Sequence, residues 1–155
     1  MMGENIETVL TKLEILPISN PNWKMFSITL NSSSPEQEYK DAKGKIIDTV
    51  GKGVGGIYMI TRENTMLYIG ESKRNIHNRL VRHINKIYIR KDHRSDFFKQ
   101  QHHQGQLTIY YYPLPERLLE NRKVIEEMLT LVLEPEYKKW ELQNKMKGLL
   151  KFVQG

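Results

Sequence analysis

The stretch Gly56-Ile57-Tyr58-Met59-Ile60-Thr61-Arg62-Glu63-Asn64-Thr65-Met66-Leu67-Tyr68-Ile69-Gly70 decides how the chain is read. Gly56–Thr61 and Met66–Gly70 are short β-like runs, and the polar residues between them, Arg62 to Thr65, suit a tight turn. The segment therefore predicts an antiparallel hairpin. Nine residues separate Tyr58 from Tyr68. Positions an even number apart and centred on the turn share a face, so the two phenols are expected opposite each other, converging on one point.

Outward toward the C-terminus, Ile76, Leu80, Ile84 and Ile87 recur at helical spacing. On that helix Arg79, His83 and Lys86 fall within about 60° of one another beside the apolar stripe, on the edge that would face the phenols. Leu107–Tyr112 reads as a third strand, stopped by Pro113 and Pro115, with Tyr110, Tyr111 and Tyr112 as packing residues rather than base-stacking ones. Residues 116–134, with VIEEMLTLVL at their end, predict a central buried helix that Pro135 terminates. A last basic amphipathic helix is expected over residues 136–152, packing through Trp140, Leu142, Met146 and Leu149 or Leu150.

Toward the N-terminus, Asn5–Leu16 has a helical apolar period, and Pro17 and Pro21 end it. Trp23–Leu30 is extended, Asn31–Pro35 is a polar linker, and a charged stretch follows to Lys45. Gly51, Gly53, Gly55 and Gly56 make the next break; no Gly-Lys-Ser/Thr follows, so this is a flexible entry and not a phosphate loop. The expected organisation is an N-terminal extension, 1–50, available for DNA or dimer contacts, and a core of 51–155. The expected fold class is α/β (α+β): a small three-stranded antiparallel sheet flanked by helices.

Composition narrows the function. The chain has 155 residues, 39% hydrophobic, enough for an ordinary apolar core. It has no cysteine, which excludes disulfides, thiolate zinc sites, iron–sulfur clusters and a cysteine nucleophile. No apolar run approaches the roughly 20 residues of a membrane helix, and MMGENIETVL lacks the features of a signal peptide, so a soluble, cytoplasmic protein is expected. The net charge of +6 is concentrated: between Glu71 and Gln100 nine Lys/Arg face three acids, an excess equal to that of the whole chain. All five histidines, 77, 83, 93, 102 and 103, lie in this region or just beyond it. Such density attracts phosphate polyanions, and Lys73, Arg74, Arg82, Lys86, Arg90, Lys91 and Arg94 are the expected nucleic-acid contacts; a solvated helix face is the alternative. His93, His102 and His103 match no common metal-ligand spacing.

The two triplets, Gly56-Ile57-Tyr58 and Tyr68-Ile69-Gly70, stand as in the GIY-YIG nuclease family, which this sequence resembles from Gly55 to Lys138. The remaining motif elements follow in order: Arg79 and His83 in NIHNRLVRH, then Glu126-Glu-Met-Leu129 leading to Pro135-Glu-Tyr137-Lys138. Two positions depart from the pattern: Lys138 stands where asparagine is usual, and Glu71 where excision-repair relatives often have lysine. The resemblance implies an endonuclease that hydrolyses DNA phosphodiesters with Mg²⁺, or Mn²⁺ in its place. It assigns Tyr58 as the phenolate that activates water, Tyr68 and His83 as its support, Arg79 as the phosphate clamp and Glu126 as the metal ligand. A carboxylate within VIEEMLTLVL costs several kcal/mol to bury unless paired or bound to a cation, and a pair with Arg122 is the other reading, better suited to Glu127. For Tyr58 to act near neutral pH its phenol must be acidified, which nearby positive charge can do. Restriction-type cleavage by a homodimer fits the size best; a phage or mobile-element enzyme of repair or homing type, and an inactive DNA-binding module, are the alternatives.

Overall fold

The structure, a computed structural model, describes residues 4–30, 34–89, 93–101 and 105–154. Its elements are α1 (Ile6–Lys12), β1 (Lys24–Leu30), α2 (Pro35–Thr49), β2 (Gly56–Arg62), β3 (Thr65–Ser72), α3 (Ile76–Tyr88), α4 (His93–Gln101), β4 (Gly105–Pro113), α5 (Glu116–Leu119), α6 (Arg122–Leu133) and α7 (Glu136–Gln154). The α+β class holds, but the sheet has four strands and not three. Its order is β1-β4-β2-β3, antiparallel throughout. The added strand is the extended run after Trp23, which pairs with β4 from Lys24↔Tyr111 to Leu30↔Gly105. Its own alternation drives this: Phe26, Ile28 and Leu30 all point into one core and can be covered only by joining a sheet.

Two helical layers cover the sheet. On one face Tyr58, Ile60, Leu67, Ile109 and Tyr111 pack with Ala42 and Ile46 of α2 and Ile76, Leu80 and Ile84 of α3. On the other, Ile57, Met59, Ile69 and Tyr112 pack with Leu10 of α1 and Ile125 and Leu129 of α6. Thus β2 is buried on both faces, which explains its unbroken apolar run. The charged stretch before Lys45 is helix α2, capped by Ser34, with Pro35 in its first turn. Its inward stripe is only Ala42, Ile46 and the C-cap Val50, too narrow to declare a helix among so many charges. Helix α1 stops at Lys12, short of Leu16, because the amides of Ile15 and Leu16 turn back onto the Leu10 carbonyl and bury Ile15.

Two expectations about the C-terminal helices are corrected. Helix α6 is not buried all round: Ile125 and Leu129 face the sheet while Val124 and Leu131 face solvent. In α7 packing is confined to the first turns, through Tyr137 and Trp140. Leu142, Met146, Leu149 and Leu150 are exposed, because the helix runs past the end of the domain surface it rests on.

Candidate active site

The hairpin turns at Glu63-Asn64, with Glu63 in the left-handed region at φ 55° and Arg62 paired with Thr65. The register then slips between Ile60 and Thr61, so that Ile60 faces Tyr68 and Tyr58 faces Gly70. The tyrosines are therefore diagonal neighbours rather than directly opposed. Without the slip, parity would put Tyr68 opposite Met59 and onto the other face; the bulge brings both rings to the same side. They lie 6.1 Å apart, centroid to centroid, with their planes 24° from parallel.

The glycine of the second triplet exists for the tyrosine of the first. A Cβ at Gly70 would stand 2.4 Å from both Cζ and Oη of Tyr58, so only glycine lets that ring lie flat across β3. Gly56 is fixed by its neighbour strand: φ is +151°, and a Cβ would come 1.9 Å from the Tyr112 carbonyl oxygen.

Helix α3 brings the next two groups. His83 is only 4% exposed and places Nε2 3.1 Å from Tyr58 Oη, while Tyr68 packs against its ring at 4.4 Å. Arg79, one turn earlier, is exposed, so its guanidinium stands at the mouth of the site. Tyr58 itself is 2% exposed. Burial first, then the charges of Tyr68 and Glu126, hold its phenol well above the ordinary phenol range, and Arg79 offsets this only in part. The acidification expected for Tyr58 is thus absent: desolvation outweighs the nearby cation.

Glu126 arrives from the opposite layer, on α6, which crosses the edge strand β3. It is half-buried, whereas Glu127 is exposed. Its carboxyl is pushed up to about 7 by burial and by the neighbouring Glu71 and Glu127, against the pull of Lys138 and Arg79. Glu126 and Arg79 both act on Tyr58, so the two layers meet around the end of β3. Arg122, one turn before Glu126, does not pair with Glu126 or Glu127 but donates Nε–H to Glu71 Oε2 at 2.7 Å, holding that carboxylate beside the site. Neither Glu71 nor Arg122 is legible as part of the site in the sequence, since their pairing spans 51 residues. Asn144, six residues beyond the departing position, uses its amide on the Trp140 carbonyl at 2.9 Å, while Lys138 pairs with Glu141 at 3.9 Å and acts on Glu126 only as a nearby positive charge.

A half-buried carboxylate that is short of counter-charge, facing solvent at the mouth of the site, fits a hard divalent cation that keeps most of its hydration shell. Among the described residues no group of three or more His, Asp or Glu forms a denser metal site. Of the expected nucleic-acid contacts, Arg74 and Arg82 are exposed, Lys73 pairs with Glu120 at 3.2 Å, and Lys86 lies over the Phe98 ring at 5.1 Å. Arg90 and Lys91 lie outside the described residues, as do His102 and His103, and Arg94 and His93 are described only as part of the backbone of α4. No helix among the described residues is long and apolar enough to cross a membrane.

No family model matches this sequence, and no curated protein matches it. Among solved structures it is similar to the N-terminal endonuclease domain of UvrC from Thermotoga maritima. The similarity is to GIY-YIG domains. A tyrosine-to-phenylalanine mutant of that domain, bound to its catalytic divalent cation, shares 19% identity over 62% of this chain and 93% of its own, with a TM-score of 0.43. An asparagine-to-alanine mutant, likewise with its cation, gives 22% identity over 62% and 92% of the two chains and a TM-score of 0.42.

Proposed function

We infer that this protein is an endonuclease hydrolysing DNA phosphodiesters with the help of a divalent cation. The observation that carries the reading is the convergence, at one end of edge strand β3, of a phenol hydrogen-bonded to an imidazole, a second phenol, an exposed arginine and an ionisable carboxylate short of counter-charge. Each is a group that phosphoryl transfer needs.

The chemistry follows from the protonation states. The relay uses the tautomer in which the Tyr58 hydroxyl, kept protonated by burial, donates to His83 Nε2. When a water attacks phosphorus, its O–H bond breaks and the Tyr58 oxygen takes that proton while passing its own to His83 Nε2. The relay ends with a neutral phenol and an imidazolium, and no free phenolate has to persist in a buried site. Tyr68, stacked beside Tyr58 and edge-on to His83, holds both rings in the relay plane. Arg79 takes the non-bridging oxygens as the attacked phosphate gains charge. Glu126 would hold the cation, Mg²⁺ or Mn²⁺, whose contribution when bound is to stabilise negative charge on the departing 3′ oxygen.

The finer proposal is restriction-type cleavage of duplex DNA by a homodimer. Its support is that Arg74, just before α3, and Arg82, within it, are exposed basic groups of the core itself, which an enzyme making its own phosphate contacts would need. A second reading, a DNA-binding module without chemistry, is favoured by Lys138, whose positive charge stands where asparagine is usual and opposes a cation at Glu126. Plasmid nicking with and without Mg²⁺ separates the two. Cleavage that needs the cation and gives defined fragments supports a restriction-type nuclease; cation-dependent incision only at damaged or branched DNA points to repair or mobile-element roles; intact plasmid with retained binding leaves the module.

A further inference from the structure

Helix α4 enters the site through a residue that no part of the proposed chemistry uses. Phe98 is fully buried, and its ring stands 4.9 Å from the His83 ring and 5.8 Å from the Tyr68 ring. It also stacks on Tyr137 of α7 at 5.7 Å, which itself touches Tyr68 at 5.2 Å, and Lys86 sets its ammonium 5.1 Å from the centre of the ring. His83, Tyr68 and Phe98 thus form a triangle of touching rings, and Phe98 closes the side of the imidazole next to the one that Tyr68 covers, limiting rotation about its Cβ–Cγ bond. A relay through Nε2 tolerates little such rotation, because swinging the ring by a few tens of degrees takes Nε2 out of reach of a hydroxyl 3.1 Å away. The neighbouring Phe97 offers a contrast within the same turn. It is 2% exposed and packs on Phe98, Tyr137 and Trp140, away from the relay rings.

We propose that Phe98 is a positioning residue: its ring, packed with Tyr137 and Tyr68, fixes the imidazole plane of His83 so that Nε2 stays on Tyr58 Oη. This rests on the nuclease reading for its effect on rate, but not for its effect on His83. The contact also ties a basic group of α3 to the relay, since Lys86 rests on the ring that packs against His83.

The test compares Phe98→Leu with Phe97→Leu in the full chain, two buried rings of one helix cut to the same size. ¹⁵N-histidine labelling reports the hydrogen bond at His83 Nε2, with the resonance assigned by loss in His83→Gln. Both variants should lower the thermal midpoint by similar amounts. Only Phe98→Leu should shift and broaden the His83 Nε2 resonance and slow single-turnover cleavage about 10- to 100-fold at unchanged KM, the scale expected of a misplaced catalytic group. If Phe98→Leu fails to fold, Phe98→Met, which refills the space without a ring, takes its place. A His83 resonance unmoved in the Phe98 variant, or moved equally by Phe97→Leu, overturns the proposal. Should the wild-type protein cleave nothing, the nuclease reading falls and the resonance alone decides the role of Phe98.

Discussion

The two sides of edge strand β3 treat their polar groups in opposite ways. On the α3 side Tyr58 and His83 are sealed under rings and hydrogen-bonded to each other, and burial holds the Tyr58 phenol well above its ordinary range. On the α6 side Glu71, Arg122 and Glu126 keep partial access to water, and Glu126 sits at the margin of ionisation near pH 7. The difference matches two tasks. Moving a proton between fixed atoms gains from a dry, rigid pair, while capturing a hydrated cation needs a carboxylate that solvent can reach.

The largest effect should come from the wetter side. Glu126→Gln should abolish Mg²⁺-dependent nicking while DNA binding persists or tightens, because one negative charge beside the phosphate path is gone; an active Glu126→Gln with an inactive Glu127→Gln would move the role by one residue. On the dry side, Tyr58→Phe keeps the ring and removes the relay oxygen. Single-turnover cleavage should fall about 10²- to 10⁴-fold with folding unchanged, and Tyr68→Phe should lose less. Equal losses would erase the distinction between the tyrosines.

A smaller effect sharpens the electrostatic half of the comparison. The Glu126 carboxyl has an ordinary value of 4.5 and stands at about 7 in the fold, so below 4.5 it is neutral whether folded or not. As pH rises toward 7 the unfolded chain loses its proton first, and above 7 folding has to desolvate a charge. Stability from this group is therefore present in acid and lost as pH passes 7. Glu126→Gln should raise the apo thermal midpoint at pH 8 and leave it nearly unchanged at pH 4.5. Mg²⁺ should stabilise the wild-type protein more at pH 8 than at pH 6 and should do nothing for the variant. A midpoint shift that ignores pH would mean Glu126 is not the titrating ligand.

The smallest effect belongs to the exposed arginines outside both layers. Replacing Arg74 and Arg82 by alanine should shallow the slope of log affinity against log salt by roughly 1 to 2 units, measured by fluorescence anisotropy on duplex DNA; an unchanged slope would make them a solvated helix face.

Local pattern alone determined the hairpin, the α3 stripe and the third strand, because period and turn chemistry act over a few residues. The resemblance to the GIY-YIG motifs, not the pattern, singled out Tyr58, Tyr68, Arg79, His83 and Glu126 as residues worth placing. What it left open depends on partners distant in the chain. Strand β1 joins the sheet only because β4, some 80 positions on, offers a free edge. The bulge between Ile60 and Thr61, which puts both tyrosines on one face, lies in the β2–β3 pairing while the β2–β4 register runs unbroken, and it leaves no mark in spacing. The charge states went the same way. Sequence shows an arginine near a tyrosine and suggests an acidified phenol; only packing reveals that Tyr58 is buried deeply enough for desolvation to win. The pairing of Arg122 with Glu71, and the seating of Phe98 against His83, likewise arise where helices from separate parts of the chain cross one strand end.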